Sequence, residues 1–370
     1  MIYFDNAATT KMRKEAIDIY LETNETYFAN PSSLHQLGLD AEKKLRDYRK
    51  KFAADLGVKE SEIYFTPSAT FSNNLAIRGS FRSGKAIISP IEHPAVDAVV
   101  KDVYEDVSYF PIDKGGKLVE SEIENSLSKD TRLASIIMVN NEIGTRQDIE
   151  LLAKKIKEAN PDILVHVDGV QAFGKYKIDL KKMKVDMFTA SSHKIHGPKG
   201  MGLLYVSEKI KLNPITLGGG QEKGLVSGTE NLPAIAAFYK AYELMRASDF
   251  REVRLVKEYV LGELTKIEGS KLVGYEDEDN SSNFILNMAF KNIKSEPLIH
   301  LLEMDGIYVS SGSACSKGKD NRVLKALGLE EEYLDGAIRI SFSVFSDMDQ
   351  AREFVKCFKK DLATIRNIMG

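Results

Sequence analysis

The chain has 370 residues, of which 43% are hydrophobic and 28% are charged, and its formal net charge is −3. This near balance gives no argument for binding nucleic acid or an anionic membrane, and no apolar stretch approaches the length of a membrane span or a signal peptide. The two cysteines, Cys315 and Cys357, are too few for a disulfide framework, so we expect a protein of the reducing cytoplasm.

Short apolar runs alternate with helical patterns through the first part of the chain. In chain order the predicted elements are strand 63–65, helix 69–78, strand 86–89, helix 95–104, strand 133–139, helix 149–159, strand 163–168 and strand 187–190. This alternation indicates a parallel sheet covered by helices on both faces. Ligands of such sheets gather at the carboxyl ends of the strands, where we expect Asn140–Asn141, Asp168 and Ser191–Lys194.

A charged helix from about Ser248 to Ile267 is predicted to leave this unit, and shorter mixed elements follow it. The sequence therefore predicts an α/β protein with a large domain, residues 15–255, and a smaller α+β domain, residues 1–14 and 256–370. The glycine cluster Gly218–Gly220 lacks the spacing of a dinucleotide or triphosphate motif, so we interpret it as a loop.

Lys194 and Asp168 are the first candidates for chemistry. A lone lysine is usually solvated, but Lys194 follows an apolar strand and His193, and a lysine beside a pocket can bind a carbonyl compound covalently. Asp168 ends an otherwise apolar strand. It is either a turn or cap residue or an anion placed against a cationic heterocycle, and Gln171 could reach the same ligand.

Two further candidates follow predicted strands. Ser68-Ala69-Thr70 opens a helix, where a hydroxyl caps the helix and the free N–H groups also suit a phosphate. Ser191 and His193 could add donors to the same anion. His93 follows a strand end; a lone histidine is more often structural, but over a cofactor ring it would stack and move protons.

The last candidates lie far downstream. Cys315 ends a loop of small residues, Ser310–Cys315, with cations nearby at Lys317, Lys319 and Arg322. This setting favours the thiolate, whereas Cys357 lies in a helical pattern and is predicted to be inert packing. Arg339, inside a strand pattern, is either an edge residue or a clamp for a carboxylate. No metal site is predicted.

In chain order these residues resemble one family, and the resemblance covers nearly the whole chain. The motifs that carry it are Tyr3–Thr10, Asn30–Ser33 with His35, Ser68–Thr70 with Asn74, Glu92–His93, Val139–Gly144, His166–Asp168 with Gln171, Ser191–Lys194, Gly218–Gln221, Ser227–Asn231, Ser311–Cys315 and Ile338–Ser341. The chain is similar to the cysteine desulfurases of the NifS/IscS type, which belong to the class V aminotransferases.

The resemblance implies the type I, aspartate-aminotransferase-like fold of pyridoxal phosphate enzymes, with a mostly parallel seven-stranded sheet in the large domain. It also implies a role for each residue near the cofactor ring. Lys194 would hold the cofactor covalently and move protons at the substrate α-carbon. Asp168 would pair with the pyridinium nitrogen and His93 would stack on the ring. Gln171 and Asn141 would bond its phenolic oxygen.

The other implied roles concern the phosphate, the substrate and the sulfur. The implied phosphate ligands are Ala69, Thr70, Ser191 and His193, joined by Thr229 from the second subunit of a homodimer. Arg339, with Asn141 beside it, would bind the carboxylate of L-cysteine. Cys315 would take the substrate sulfur as a persulfide, leave alanine, and pass the sulfur to an acceptor protein for iron–sulfur cluster assembly or for thiolation of tRNA or a cofactor.

The chain departs from the common family pattern at several positions. Phe71 stands where glutamate is common, Val226 where arginine is common, and Ser343–Val344 where a Gly-Arg pair is common. The segment after Cys315 also looks slightly shorter. These departures are compatible with a specialised paralogue, for example one that serves tRNA thiolation.

Two alternatives stay open at this point. One is a selenocysteine lyase, which shares the chemistry, while plain transamination would not need the Cys315 loop. The other is a catalytically weak sulfur-relay or scaffold protein. Retention of Lys194, Asp168, His93 and Cys315 together argues against that second alternative.

Overall fold

The structure is a computed structural model that describes residues 1–311 and 321–369. Its strands are β1 (Ile2–Tyr3), β2 (Ile63–Thr66), β3 (Lys85–Ile88), β4 (Asp106–Tyr109), β5 (Thr131–Ile137), β6 (Leu164–Asp168), β7 (Met187–Ser191), β8 (Gly202–Val206), β9 (Ser270–Leu272), β10 (Ile285–Phe290), β11 (Ile307–Tyr308) and β12 (Ala337–Ser341). Its helices are α1 (Lys14–Thr26), α2 (Gln36–Leu56), α3 (Ala69–Gly79), α4 (Pro94–Val103), α5 (Ile149–Ala159), α6 (Leu180–Met183), α7 (Leu232–Arg246), α8 (Arg251–Leu264), α9 (Ser295–Met304), α10 (Arg322–Ala326), α11 (Glu331–Leu334) and α12 (Met348–Met369).

Seven strands form the main sheet in the order β2-β8-β7-β6-β5-β3-β4. All neighbours are parallel except that β8 runs antiparallel to both β2 and β7. Every residue of β6, β7 and β8 is buried, as expected for strands covered on both faces. The predicted mostly parallel seven-stranded sheet is confirmed. The reversal of β8 was not predicted; its short connection from β7 suits an antiparallel return rather than a helical crossover.

Two smaller sheets lie beside the main one. β10 pairs antiparallel with both β12 and β9, and β1 pairs parallel with β11. The N-terminal segment is thereby tied to residues about 300 positions away, and an isolated bridge joins Asp5 to Ser341. The domain division at residues 14/15 and 255/256 stays a prediction.

The long charged helix is shorter than the predicted 248–267, since α8 spans Arg251–Leu264. On its N-terminal side, Ser248 lies between the two helices, and its hydroxyl donates to the carbonyl of Leu244 in the last turn of α7. Within the described residues, no helix combines the length and apolarity that a membrane crossing requires.

A cluster of aromatic side chains packs α2 and α7 against the main sheet. Phe173 and Tyr242 stack with ring centroids 4.4 Å apart, and Phe52 meets Phe238 at 5.1 Å. All four rings are buried. Because Phe173 lies five residues after Asp168, this packing fixes the turn that follows the end of β6.

Candidate active site

A cleft of about 270 Å³ opens at the carboxyl ends of β5, β6 and β7. The N-terminal turns of α3 and α4, the segment around Ala7–Ala8, and Arg339 of β12 complete its walls. The predicted site residues that line it are Ala69, Thr70, His93, Asn141, Asp168, Gln171, Ser191, His193, Lys194 and Arg339. Residues from across the chain therefore meet where the parallel sheet was predicted to bind a ligand.

Lys194 ends a short 3₁₀ turn, Ser192–Lys194, directly after β7. Its ammonium group donates to the backbone carbonyls of Ala7 and Ala8, each at 2.7 Å. These two carbonyls hold the amine at the cleft. No role was predicted for Ala7 or Ala8 from the sequence, although both lie in the motif Tyr3–Thr10.

Asp168 ends β6 and is 4% exposed. One carboxylate oxygen accepts from the side-chain amide of Asn73 at 3.0 Å, and the other accepts from the backbone N–H of Val170 at 3.0 Å. Gly169 is required next in the chain, because a Cβ there would lie 1.8 Å from Cζ of Phe188. The carboxylate is thus fixed from both sides. Asn73 was missed, since α3 brings it there from 95 residues away.

Burial favours the neutral form of three titratable groups near Asp168. Burial lowers the pKa of His93, although Asp168 acts in the opposite direction. Burial also lowers the pKa of His166 to about 4 and raises that of Glu92 well above its usual range, with Asp168 adding to the second effect. His93 caps α4 as well, because its Nδ1 accepts from the backbone N–H of Ala95 at 3.1 Å. His93 therefore has a structural contact, and its stacking on a cofactor ring stays a prediction.

The first turn of α3 supplies N–H groups to the cleft. Ser68 is its N-cap, and its hydroxyl accepts from the N–H of Phe71 at 3.1 Å, while Ala69 and Thr70 line the cleft. The first N–H groups of a helix have no partner within the helix and attract anions. His193 lies nearby, with Nδ1 at 3.1 Å from the Thr9 hydroxyl. Burial lowers the pKa of His193 to about 4, so it contributes as a neutral ring.

Gln171 connects the cleft to a buried lysine. Its amide nitrogen donates to the carbonyl of Ala7 at 2.9 Å, and its amide oxygen accepts from Lys175 at 3.4 Å. Burial, and secondly the nearby Lys194, lower the pKa of Lys175 to about 7. Lys175 was also missed, because nothing in the sequence distinguishes it from an exposed lysine.

Arg339 is held by two acceptors and is 2% exposed. Its Nη2 donates to a carboxylate oxygen of Asp5 at 2.8 Å, and its Nη1 donates to the backbone carbonyl of Asn141 at 2.9 Å. Its buried Nε has no hydrogen-bond partner among the described residues. An arginine with spare donors at a cleft can bind a carboxylate. Asp5 was not predicted as its partner.

One predicted residue among those described, Thr229, does not line the cleft. Thr229 lines a separate surface pocket together with Val226 and Gly228. Cys315 lies outside the described residues, so its prediction stays untested. Phe71, Val226 and Ser343–Val344, the positions that depart from the family pattern, do not line the cleft either.

Comparison with known proteins identifies the family. The profile described as Aminotransferase class-V matches residues 2–354. A NifS/IcsS protein homolog of Lactobacillus delbrueckii subsp. bulgaricus is 41% identical over 97% of this chain and 96% of its own length. Cysteine desulfurase IscS of Methanosarcina thermophila is 38% identical over 96% of this chain and 91% of its own length.

Solved structures agree with this assignment. A NifS-like protein superposes with a TM-score of 0.91 at 33% identity, covering 98% of this chain and 99% of that one. The structure described as SspA in complex with cysteine has a TM-score of 0.80 at 32% identity, covering 92% and 99%. The chain is an enzyme of the class-V aminotransferase family and belongs, within it, to the cysteine desulfurases of the NifS/IscS type.

Proposed function

We propose that this protein converts L-cysteine to L-alanine with pyridoxal 5'-phosphate as cofactor, and that Cys315 receives the sulfur. The observation that carries the proposal is the meeting of an amine, a buried carboxylate and a buried guanidinium in one cleft, on Lys194, Asp168 and Arg339. The relatives named cysteine desulfurase and the neighbour solved with cysteine support this substrate.

The groups lining the cleft fit the cofactor. The N–H groups at the start of α3 suit its phosphate, and the fixed, buried carboxylate of Asp168 suits its protonated ring nitrogen. A neutral His93 ring and the Gln171 amide suit its face and its phenolic oxygen. When bound, pyridoxal phosphate supplies an electron sink that weakens bonds at the substrate α-carbon.

The protein's own residues then have separate tasks. Lys194 binds the cofactor and moves a proton at the substrate α-carbon, for which its two carbonyl partners keep the amine in place. Asp168 preserves the charge of the ring nitrogen, because its two hydrogen-bond donors fix the carboxylate at the cleft. Arg339 orients the substrate through its carboxylate.

Cys315 completes the reaction in this proposal. Its thiolate bonds to the sulfur of L-cysteine as the Cβ–S bond breaks, and protons from the medium complete the alanine. One L-cysteine and one thiol thus yield one alanine and one persulfide, with no external oxidant. Reactive thiols lie on accessible loops near cations, as the sequence around Cys315 suggests.

The remaining predictions concern the cell rather than the cleft. We propose a cytoplasmic homodimer that delivers sulfur to an acceptor protein for iron–sulfur cluster assembly or for thiolation. The position of Thr229 supports the dimer, since a phosphate ligand that does not line its own cleft fits a contribution to a second copy.

The test is to incubate the protein with pyridoxal phosphate, L-cysteine and a reductant, and to measure alanine and sulfide together. We expect equal amounts of both from the wild type. Cys315→Ala should abolish sulfide release, and Cys357→Ala should leave it unchanged, because Cys357 is buried in α12 with a pKa raised to about 11 by that burial.

A protein that binds pyridoxal phosphate through Lys194 but produces no alanine would contradict the proposal. Binding through Lys194 is checked by the visible absorption band of the cofactor, which Lys194→Ala should remove. Parallel turnover with L-selenocysteine separates a desulfurase from a selenocysteine lyase. A strong preference for the selenium substrate would also contradict the proposal.

A further inference from the structure

Asp5 already forms an ion pair with Arg339, the arginine proposed to bind the substrate carboxylate. Its carboxylate accepts from Nη2 of Arg339 at 2.8 Å, in an ion pair whose side chains are 21% and 2% exposed, respectively. A substrate carboxylate bound to this guanidinium would therefore meet a resident carboxylate on the same group. Because both anions are carboxylates, they would interact with the same kind of N–H donor on Arg339.

The backbone around Asp5 is fixed, so its carboxylate is not a mobile tail. The side-chain amide of Asn6 donates to the carbonyls of Tyr3 and Ser341 at 2.8 and 3.0 Å. The N–H of Ala7 donates to the hydroxyl of Ser341 at 2.9 Å. Asp5 is thereby held against β12, the strand that carries Arg339.

Arg339 retains donors for a second anion. A guanidinium has five N–H donors, and the described contacts use only two, on Nη2 and Nη1. Its Nε is buried without a hydrogen-bond partner among the described residues. Two anions can therefore share Arg339, but the second binds to a charge that Asp5 has already compensated.

We propose that Asp5 is a positioning residue that acts as the internal counter-ion of Arg339 and weakens its affinity for the substrate carboxylate. This inference rests on the proposed function, in which Arg339 binds that carboxylate. In the free enzyme, Asp5 relieves the large cost of an unpaired buried cation. During turnover it keeps the carboxylate of substrate and product from binding too tightly, which favours release of alanine.

The test is Asp5→Asn, which keeps an oxygen acceptor for Nη2 and removes the charge. The ligand is 3-mercaptopropionate, which has the thiol and the carboxylate of cysteine but no amine to react with the cofactor. Calorimetry on the full-length protein, with and without pyridoxal phosphate, should show binding about three- to tenfold tighter in Asp5→Asn. The KM for L-cysteine should fall by more than kcat changes.

Two controls separate charge from general damage. Asp349→Asn removes an aspartate whose side chain is 92% exposed in a surface pair with Arg352, and it should leave the affinity unchanged. 2-Mercaptoethanol lacks the carboxylate and, like 3-mercaptopropionate, has no amine, so Asp5→Asn should not bind it more tightly. If Asp5→Asn does not fold, Asp5→Ser is the second variant, with the same expected direction.

The outcomes distinguish this inference from the proposed function. One outcome is that Arg339→Gln loses 3-mercaptopropionate binding while Asp5→Asn binds it as well as the wild type or more weakly. The role proposed for Asp5 is then wrong, and the binding of the carboxylate by Arg339 is supported. If folded Arg339→Gln binds as well as the wild type, the clamp assignment fails, and the inference fails with it.

Discussion

Lys175 is a buried cation at the edge of the active site. Its ammonium group contacts the Gln171 amide at 3.4 Å and lies 4.8 Å from the ring centre of Phe284. None of the ion pairs formed by the described residues includes it. Burial without a counter-ion disfavours the charged form of the lysine. Lys175 should therefore lower the stability of the protein at every pH at which its side chain is protonated.

The loss of stability caused by burying Lys175 depends on pH through the shifted pKa of its ammonium group. The pKa of Lys175 falls from an ordinary 10.5 to about 7, so between these values the unfolded chain binds more protons at this residue than the folded protein. The penalty is complete below about pH 7, decreases as the pH rises, and is gone above 10.5. Lys175→Met should therefore stabilise the apoprotein by on the order of a few kcal/mol at pH 6 and hardly at all at pH 10.5.

Thermal and urea unfolding of wild type and variant across this pH range measure the difference. Lys177→Met is the matched control, because Lys177 lies two residues away and is exposed, so it should show no such trend. A constant difference between Lys175→Met and wild type at all pH values would show that the lysine keeps its ordinary pKa in the folded protein.

At the scale of elements, strand and helix ends build the cleft. β6 and β7 end at Asp168 and at the turn that carries Lys194, and α3 begins at the predicted phosphate ligands. These local features were predictable, because apolar runs mark strands and a serine after a strand marks a helix start. The reversed direction of β8 was not, since it depends on how a short connection packs against the rest of the sheet.

The cap of α3 gives a prediction at this scale. Ser68→Ala removes the hydroxyl that accepts from the N–H of Phe71, and should cost about 1 kcal/mol of stability. It should also weaken the binding of pyridoxal phosphate, because the first turn of α3 carries the N–H groups that face the cleft. Urea unfolding and a cofactor titration measure the two effects.

Asp148→Ala is the matched control, because Asp148 caps α5 in the same way, accepting from the N–H of Leu151 at 3.1 Å, and does not line the cleft. We expect a similar loss of stability from it and unchanged cofactor affinity. Equal weakening of cofactor binding by both variants would mean that α3 has no special role.

At the scale of the whole molecule, contacts between distant segments complete the fold. Arg49 of α2 forms a two-point ion pair with Glu222, 173 residues away, with nitrogen–oxygen distances of 2.7 and 2.6 Å. Glu222 also accepts from the N–H of Phe65 in β2 at 3.1 Å. The side chains are 15% and 3% exposed, so the pair anchors the segment around Glu222 to α2 and β2.

Breaking this pair tests its importance. Arg49→Met leaves the buried Glu222 carboxylate without its guanidinium and should cost about 3–5 kcal/mol in urea unfolding. Arg49→Met combined with Glu222→Met should recover much of that loss, because no buried charge remains. Arg46→Met removes an exposed pair with Glu42 and should change stability by less than about 0.5 kcal/mol. Similar losses from Arg46→Met and Arg49→Met would refute the anchoring role.

The sequence by itself determined the alternation of strands and helices, and hence the edge of the sheet where the cleft opens. It also placed Lys194, Asp168, His93 and Gln171 there, because each follows a strand whose apolar pattern is local. Only the tertiary structure decided the partners of these residues. The carbonyl of Ala7 accepts from Lys194, which is 187 residues away in the sequence. Asn73, Asp5 and Lys175 contact residues of the cleft only because of tertiary packing, which no local sequence pattern predicts. Burial then set their pKa values, since the cost of desolvating a charge depends on the whole surrounding fold.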